Sequence, residues 1–162
     1  MTRRSILTAF TVLVASALLA ACATTPAPAP LADTLARDPQ LTTFNRLVNQ
    51  AGLAEDLRAA GPLTVFAPSD DAFKAVPAKT MEALAADPAQ LKAALNLHIV
   101  DGRTTAVDVK PGAVKTHQGA NVTLAKAGSF VTVDDAVVQQ ADIVATNGVA
   151  HIVDRVLMPP KK

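Results

Sequence analysis

The residues that most suggest chemistry in this chain are two copies of His-Ile-Val-Asp, His98 to Asp101 and His151 to Asp154. An imidazole beside a carboxylate can hold a metal or move a proton. The spacing argues against either use within one copy. In extended chain, residues three apart point to opposite faces, so His98 and Asp101 cannot share a ligand, and neither can His151 and Asp154. A composite site that gathers His98, His117 and His151 from separate strands is geometrically allowed, but no His-x-His or His-x-x-x-His pair supports it. Neither a metal nor a cofactor is expected. The flanks of the two copies also differ: the first closes an Ala- and Leu-rich helix and is stopped by Gly102, whereas the second follows Asn147-Gly148 and continues as Val153-Asp154-Arg155-Val156-Leu157. The repetition is read as coincidence in Ile- and Val-rich strand-forming sequence.

A hydrolytic arrangement would use Ser69 as nucleophile, His98 as base and Asp70 or Asp71 as the group that orients it. Ser69 lacks the Gly-x-Ser-x-Gly setting of a nucleophile elbow. It stands between Pro68 and two aspartates, the pattern of a helix N-cap followed by an acidic first turn. The seven glycines are scattered singly, which leaves no phosphate-binding loop. No catalytic residue is therefore assigned. Nucleic acid is not an expected partner either: no Trp or Tyr occurs, and Phe10 is one of only five Phe, so stacking surfaces lack their material.

Targeting is written at the start. Arg3 and Arg4 precede an apolar run that ends in Leu19-Ala20-Ala21-Cys22, a secretory signal pattern. A leucine, two small residues and a cysteine resemble the bacterial lipobox. That resemblance implies a signal peptide over residues 1–21 and acylation of Cys22, the lipid attachment site, with palmitate among its chains. Two or three acyl chains hold a protein at a membrane far more firmly than one. Ala23 in place of an aspartate implies the outer membrane, so the expected address is the bacterial cell envelope. Cys22 is the only cysteine, so the domain is held by its core and not by an internal disulfide. The Ala/Pro-rich stretch over residues 22–31 reads as a semi-rigid linker, followed by one domain over 32–160. Without Arg3 and Arg4 the basic residues fall from 15 to 13 against 14 acidic ones, a net charge of −1.

The elements that must position these residues follow from pattern. Between Asp33 and Ala60, Leu41, Phe44, Leu47 and Val48 recur at helical spacing until Gly52 interrupts. Leu63 to Ala67 reads as a buried strand stopped by Pro68, with a helix capped by Ser69 behind it. Ala78 to Ala86 and Asp87 to Leu97 are two further helices, the second with Asp87 as N-cap and Pro88 at its first position. Beyond Gly102 the texture becomes β, with turn signals at Asp134-Asp135 and Asn147-Gly148. Helices first and strands second predict an α+β domain.

The flanks then carry a resemblance. Thr64 to Phe73 (TVFAPSDDAF), Leu95 to Arg103 (LNLHIVDGR) and Asn147 to Pro159 (NGVAHIVDRVLMP) are similar, in order, to three motifs of the fasciclin domain, and DTLARDPQLTTFNRLVNQAGL resembles its helical opening. The family resemblance implies a β-wedge of two sheets with helices packed along it, and a role in cell adhesion or matrix attachment. The partner would be an envelope or matrix protein or polysaccharide, reached from the membrane through the lipid anchor by a monomeric domain. A periplasmic ligand-binding or accessory scaffold is the alternative. The resemblance also implies a structural hydrogen bond between His98 and Asp70, and makes Asp142 and Ile143 a candidate partner-binding pair. Leu97 stands where the family motif has a tyrosine, which removes the side chain to which adhesion is assigned there.

Overall fold

The computed structural model describes residues 27–158 with the exception of residue 60. The signal segment, Cys22 and the first part of the linker lie outside the described residues. Among those described, no helix is long and apolar enough to cross a membrane. The chain opens with three short helices, α1 (Leu31–Ala36), α2 (Thr42–Gln50) and α3 (Ala54–Ala59), which bear out the helical reading of this region. Phe44, Leu47 and Val48 form the buried stripe of α2. The linker ends earlier than expected: Leu31 is fully buried, and Ala29 is buried with its carbonyl accepting the Thr146 amide at 2.9 Å. Proline spacing alone could not reveal that contact, because the partner lies more than a hundred residues away.

Strand β1 (Leu63–Pro68) follows, then α4 (Asp70–Lys74), α5 (Ala78–Ala86) and α6 (Pro88–Leu97). Ser69 Oγ accepts the Ala72 amide at 3.2 Å as the cap of α4, and Asp87 accepts the Ala89 and Gln90 amides as the cap of α6. Strand β2 (Ile99–Asp101) follows at once, in the Ile- and Val-rich stretch read as strand-forming, and pairs with β1 along the edge of the sheet. The remaining strands are β3 (Gly112–Lys115), β4 (Asn121–Ala127), β5 (Phe130–Val133), β6 (Ala136–Ala145) and β7 (Gly148–Val153).

The strands form one continuous order, β2-β1-β7-β6-β5-β4-β3, within an α+β domain for which the resemblance implied a β-wedge of two sheets. The two ends of that order approach each other through the isolated bridge Val100 to Thr116 and the bond from the His117 amide to the Ile99 carbonyl at 2.9 Å, so the sheet curls nearly to a barrel. Strand β6 makes the bend, since its pairing with β7 shifts register between Val138 and Gln140 and again between Gln140 and Ile143.

Strands β1 and β7 pair in parallel and are buried along their whole length. Their alternate side chains serve two cores. Val65, Ala67, Ala150 and Ile152 pack under the helices with Leu35, Leu41, Phe44 and Leu91. Phe66 and Val153 point into the curled sheet with Val122, Leu124, Val131, Val133 and Leu157. Leu97 is buried in this second core, so the position of the family tyrosine is a packing position here.

Gly148 was read as a turn residue, yet the two-residue connection is Thr146 and Asn147, since Ala145 pairs with Gly148, and Gly148 has no positive φ. It is a glycine because a Cβ there would lie 2.1 Å from the Leu63 carbonyl oxygen and 2.7 Å from Leu31 Cδ1. A backbone atom cannot yield as a side-chain tip can. Gly148→Ala is therefore expected to destabilise the domain by about 3 kcal/mol or more, read as a fall in denaturant midpoint. Gly61→Ala, at a glycine with open space around it, should leave the midpoint unchanged.

Candidate functional site

His98 is the C-cap residue of α6 and is 1% exposed. Its Nε2 accepts the Leu157 amide at 2.9 Å, which places the ring proton on Nδ1, and that nitrogen donates to the Ala94 carbonyl at 2.8 Å. Both nitrogens are thus spent on backbone, one on Ala94 in the last turn of its own helix and one on Leu157, 59 residues further along the chain. Burial pushes its pKa down to about 4, a shift only partly opposed by the bond to Ala94. A protonated ring would turn an N–H toward the Leu157 N–H it must accept, so the fold requires the neutral form.

The expected bond between His98 and Asp70 is not formed. Asp70 serves α2 instead: its Oδ1 accepts the Thr43 amide at 2.7 Å and its Oδ2 accepts the Thr42 hydroxyl. The cause is local. Leu41, the N-cap residue of α2, has no side-chain acceptor, so the first-turn donors of that helix need a carboxylate from elsewhere. Desolvation raises the Asp70 pKa, but the bonds from Thr42 and Thr43 more than reverse this and leave it below the ordinary value. Ser69 is buried as the cap of α4, Asp70 holds the start of α2 and His98 holds the segment after β7, so the three residues of a hydrolytic arrangement have separate structural duties.

The second histidine uses the opposite tautomer. His151 Nδ1 accepts the Asp142 amide at 3.3 Å, and Nε2 donates to the Thr104 carbonyl at 2.9 Å. Its ring stacks on Phe66 with centroids 5.4 Å apart. Burial lowers its pKa, against the Thr104 bond and the Asp142 charge. Asp142 adopts a φ of 59° at the β6 irregularity and its Oδ1 accepts the Ala106 amide at 2.8 Å. The Asp142 carboxylate thus latches the segment after β2 to β6, while Ile143 is half-buried and packs against the core under the helices. In the first His-Ile-Val-Asp copy, Asp101 meets His117 at 2.6 Å, a pair that links β2 to the chain just after β3. The two copies share no ligand, and no cluster of three His, Cys, Asp or Glu suited to a metal occurs among the described residues.

Asn147 was read only as a turn signal. Its Oδ1 accepts the Leu31 amide at 2.8 Å and its Nδ2 donates to the Leu57 carbonyl at 2.7 Å, so one side chain ties the start of α1 and the end of α3 to the β6–β7 turn. No local signal marks such a role, since both partners are distant in sequence. On the surface, the far end of β6 carries a cleft of about 490 Å³ lined by Asn121, Asp134, Asp135, Arg155 and Met158 among others.

Two outcomes follow from this geometry. The depressed His98 pKa means the unfolded chain binds a proton first, so stability is complete above the free-histidine value near 6.5 and is lost as pH falls toward about 4. The loss at His98 amounts to about 3 kcal/mol. Urea titrations across this range should show it, and His98→Ala should flatten the slope while lowering neutral-pH stability by about 2–4 kcal/mol through the orphaned Leu157 amide and Ala94 carbonyl. Asp70→Ala should cost about 1–2 kcal/mol, and a double-mutant cycle with His98→Ala should be additive, since the residues do not touch.

The fasciclin domain family profile matches residues 39–159. Protein sll1483 of Synechocystis sp. is 42% identical over 123 residues, 73% of this chain and 68% of that protein. Immunogenic protein MPB70 of Mycobacterium bovis is 34% identical over 136 residues, 81% of this chain and 69% of that protein. Human periostin is 33% identical over 137 residues, which cover 83% of this chain but only 16% of periostin. Among solved structures, a domain pair from the insect cell adhesion molecule Fasciclin I superposes with a TM-score of 0.67 at 17% identity, over 81% of this chain and 51% of that one, a likeness of fold. With its motif order, its curled seven-stranded sheet and these relatives in agreement, the chain belongs to the fasciclin domain family.

Proposed function

We propose that the chain is a non-catalytic adhesion or matrix-interaction module, displayed outside the cytoplasm of a bacterium by a lipid on Cys22, with the outer membrane as its address. One observation carries the non-catalytic part. Among the described residues, the five buried polar side chains are committed to structure: Thr64 to Gly102 and Thr104, Ser69 to Ala72, His98 to Ala94 and Leu157, Thr116 to Ala120, and His151 to Thr104 and Asp142. Neither buried imidazole keeps the free lone pair that a general base needs, so no buried hydroxyl nucleophile has a base beside it in the interior. What the fold leaves for function is its surface, which suits an envelope or matrix protein or polysaccharide as partner. The cleft beside Arg155, with carboxylates and a guanidinium on its walls, favours the second reading of a periplasmic ligand-binding or accessory scaffold. Fold and family do not choose between these readings.

Protease shaving of intact cells separates them: digestion of the chain supports surface display, and protection until the outer membrane is opened supports the periplasmic scaffold. Anchoring is tested by Cys22→Ser, which should abolish incorporation of an alkyne palmitate analogue and shift the chain from the detergent to the aqueous phase. Unchanged labelling and partitioning would remove Cys22 from the mechanism. For the Asp142 and Ile143 pair, Asp142→Asn keeps an acceptor for Ala106 and a residue tolerant of positive φ. It should retain native stability, and a selective loss of cell attachment in that variant would identify the carboxylate as a partner contact.

A further inference from the structure

We propose that the end of the domain carrying the β6–β7 turn rests against the lipid headgroups, so that the opposite end is the face offered to partners. The inference rests on the reading of Cys22 as the acylated residue. Its observations are where the chain leaves the fold and how little chain remains. The Ala29 carbonyl is held by the Thr146 amide in the β6–β7 turn at 2.9 Å, the Ala27 carbonyl accepts Arg37 Nη1 at 3.3 Å, and the Leu31 amide donates to Asn147 in the same turn. From Cys22 to Ala29 is seven residue steps, a span of at most about 25 Å when fully extended. Strand β6 alone is ten residues, running from the Asp134-Asp135 turn to the point of attachment, a contour of about 33 Å that its bend shortens end to end. On such a tether the anchored chain can tilt, but the attached end is held to the bilayer and the Asp134-Asp135 end is carried away from it.

The near end has the chemistry for that neighbour. Ala27, Pro28, Pro39 and Val144 line a shallow hollow at the exit of the chain, with Arg37 and Asp38 on its rim. Val144 is 60% exposed there although it lies within a strand. The Arg37 guanidinium, with N–H groups beyond the one donated to Ala27, is the cation at this hollow that can meet a lipid phosphate, beside apolar surface suited to the headgroup boundary.

The test uses the full-length acylated chain in vesicles of phosphatidylethanolamine and phosphatidylglycerol that contain a nitroxide-headgroup lipid. Cys22 is the only cysteine and its thiol is consumed by acylation, so Thr146→Cys and Asp135→Cys each provide a unique site for a fluorophore. Quenching at position 146 is expected to exceed that at 135 several-fold, and a twenty-residue Gly/Ser insertion after Cys22 should bring the two together. Equal quenching at native tether length, or stronger quenching at 135, would overturn the proposal. Intact mass keeps the two readings apart: acylated protein with equal quenching sinks only the orientation, whereas protein without acyl mass that fails to float with vesicles sinks the anchor and the orientation with it.

Discussion

The parallel pairing of β1 with β7 is the interaction on which the rest of the structure depends. It joins residues 85 apart in sequence, Leu63 with Gly148 through Pro68 with Val153, and leaves both strands buried on both faces. A strand in that position cannot alternate apolar and polar residues, because neither face meets water. Its edges must also be covered, which β2 does for β1 and β6 does for β7. The helices pack on one face and the curled half of the sheet closes over the other, so the two hydrophobic cores are two sides of one strand pair. Gly148 is the tightest point of this arrangement, where the β7 backbone lies against the Leu63 carbonyl with no room for a side chain.

Burial at that depth dictates how the polar residues behave. A buried imidazole that donates through one nitrogen and accepts through the other satisfies two distant backbone groups without carrying a charge. His98 does this between α6 and the segment after β7, and His151 does it between β7, the β6 irregularity and the chain after β2, with opposite tautomers. Both residues therefore act as cross-links whose strength depends on staying neutral. The same arrangement closes them to substrate chemistry, since no lone pair remains free. His117 differs, with its ring partly exposed and paired to Asp101 near the place where the sheet almost closes.

With the interior committed, function falls to the surface and to the way the surface is held. The chain enters the fold at the β6–β7 turn, bonded through Ala29 and Leu31 to Thr146 and Asn147. The turn that sets the strand register therefore also sets where a tether would pull. Strand β6 separates that point from the Asp134-Asp135 turn and the cleft beside Arg155, so attachment and presentation lie at opposite ends of one strand.

Much of this was legible in the sequence. The helical spacing of Leu41, Phe44, Leu47 and Val48, the caps at Ser69 and Asp87, the stop at Pro68 and the β texture after Gly102 all depend on neighbours within a few residues, and each appears where the pattern placed it. Three ordered motifs were enough to indicate the family. The partners of the polar side chains were not legible. His98 was expected to bond Asp70, but Asp70 went to the uncapped N-terminus of α2 and His98 to Leu157. Asn147 and Gly148 were read as turn residues, while their types answer to Leu31, Leu57 and Leu63. Local hydrogen bonding and side-chain periodicity act along the chain and leave a trace in residue order. The competition among buried donors for a limited set of acceptors is settled only when distant segments are packed together, and that packing the tertiary structure alone decides.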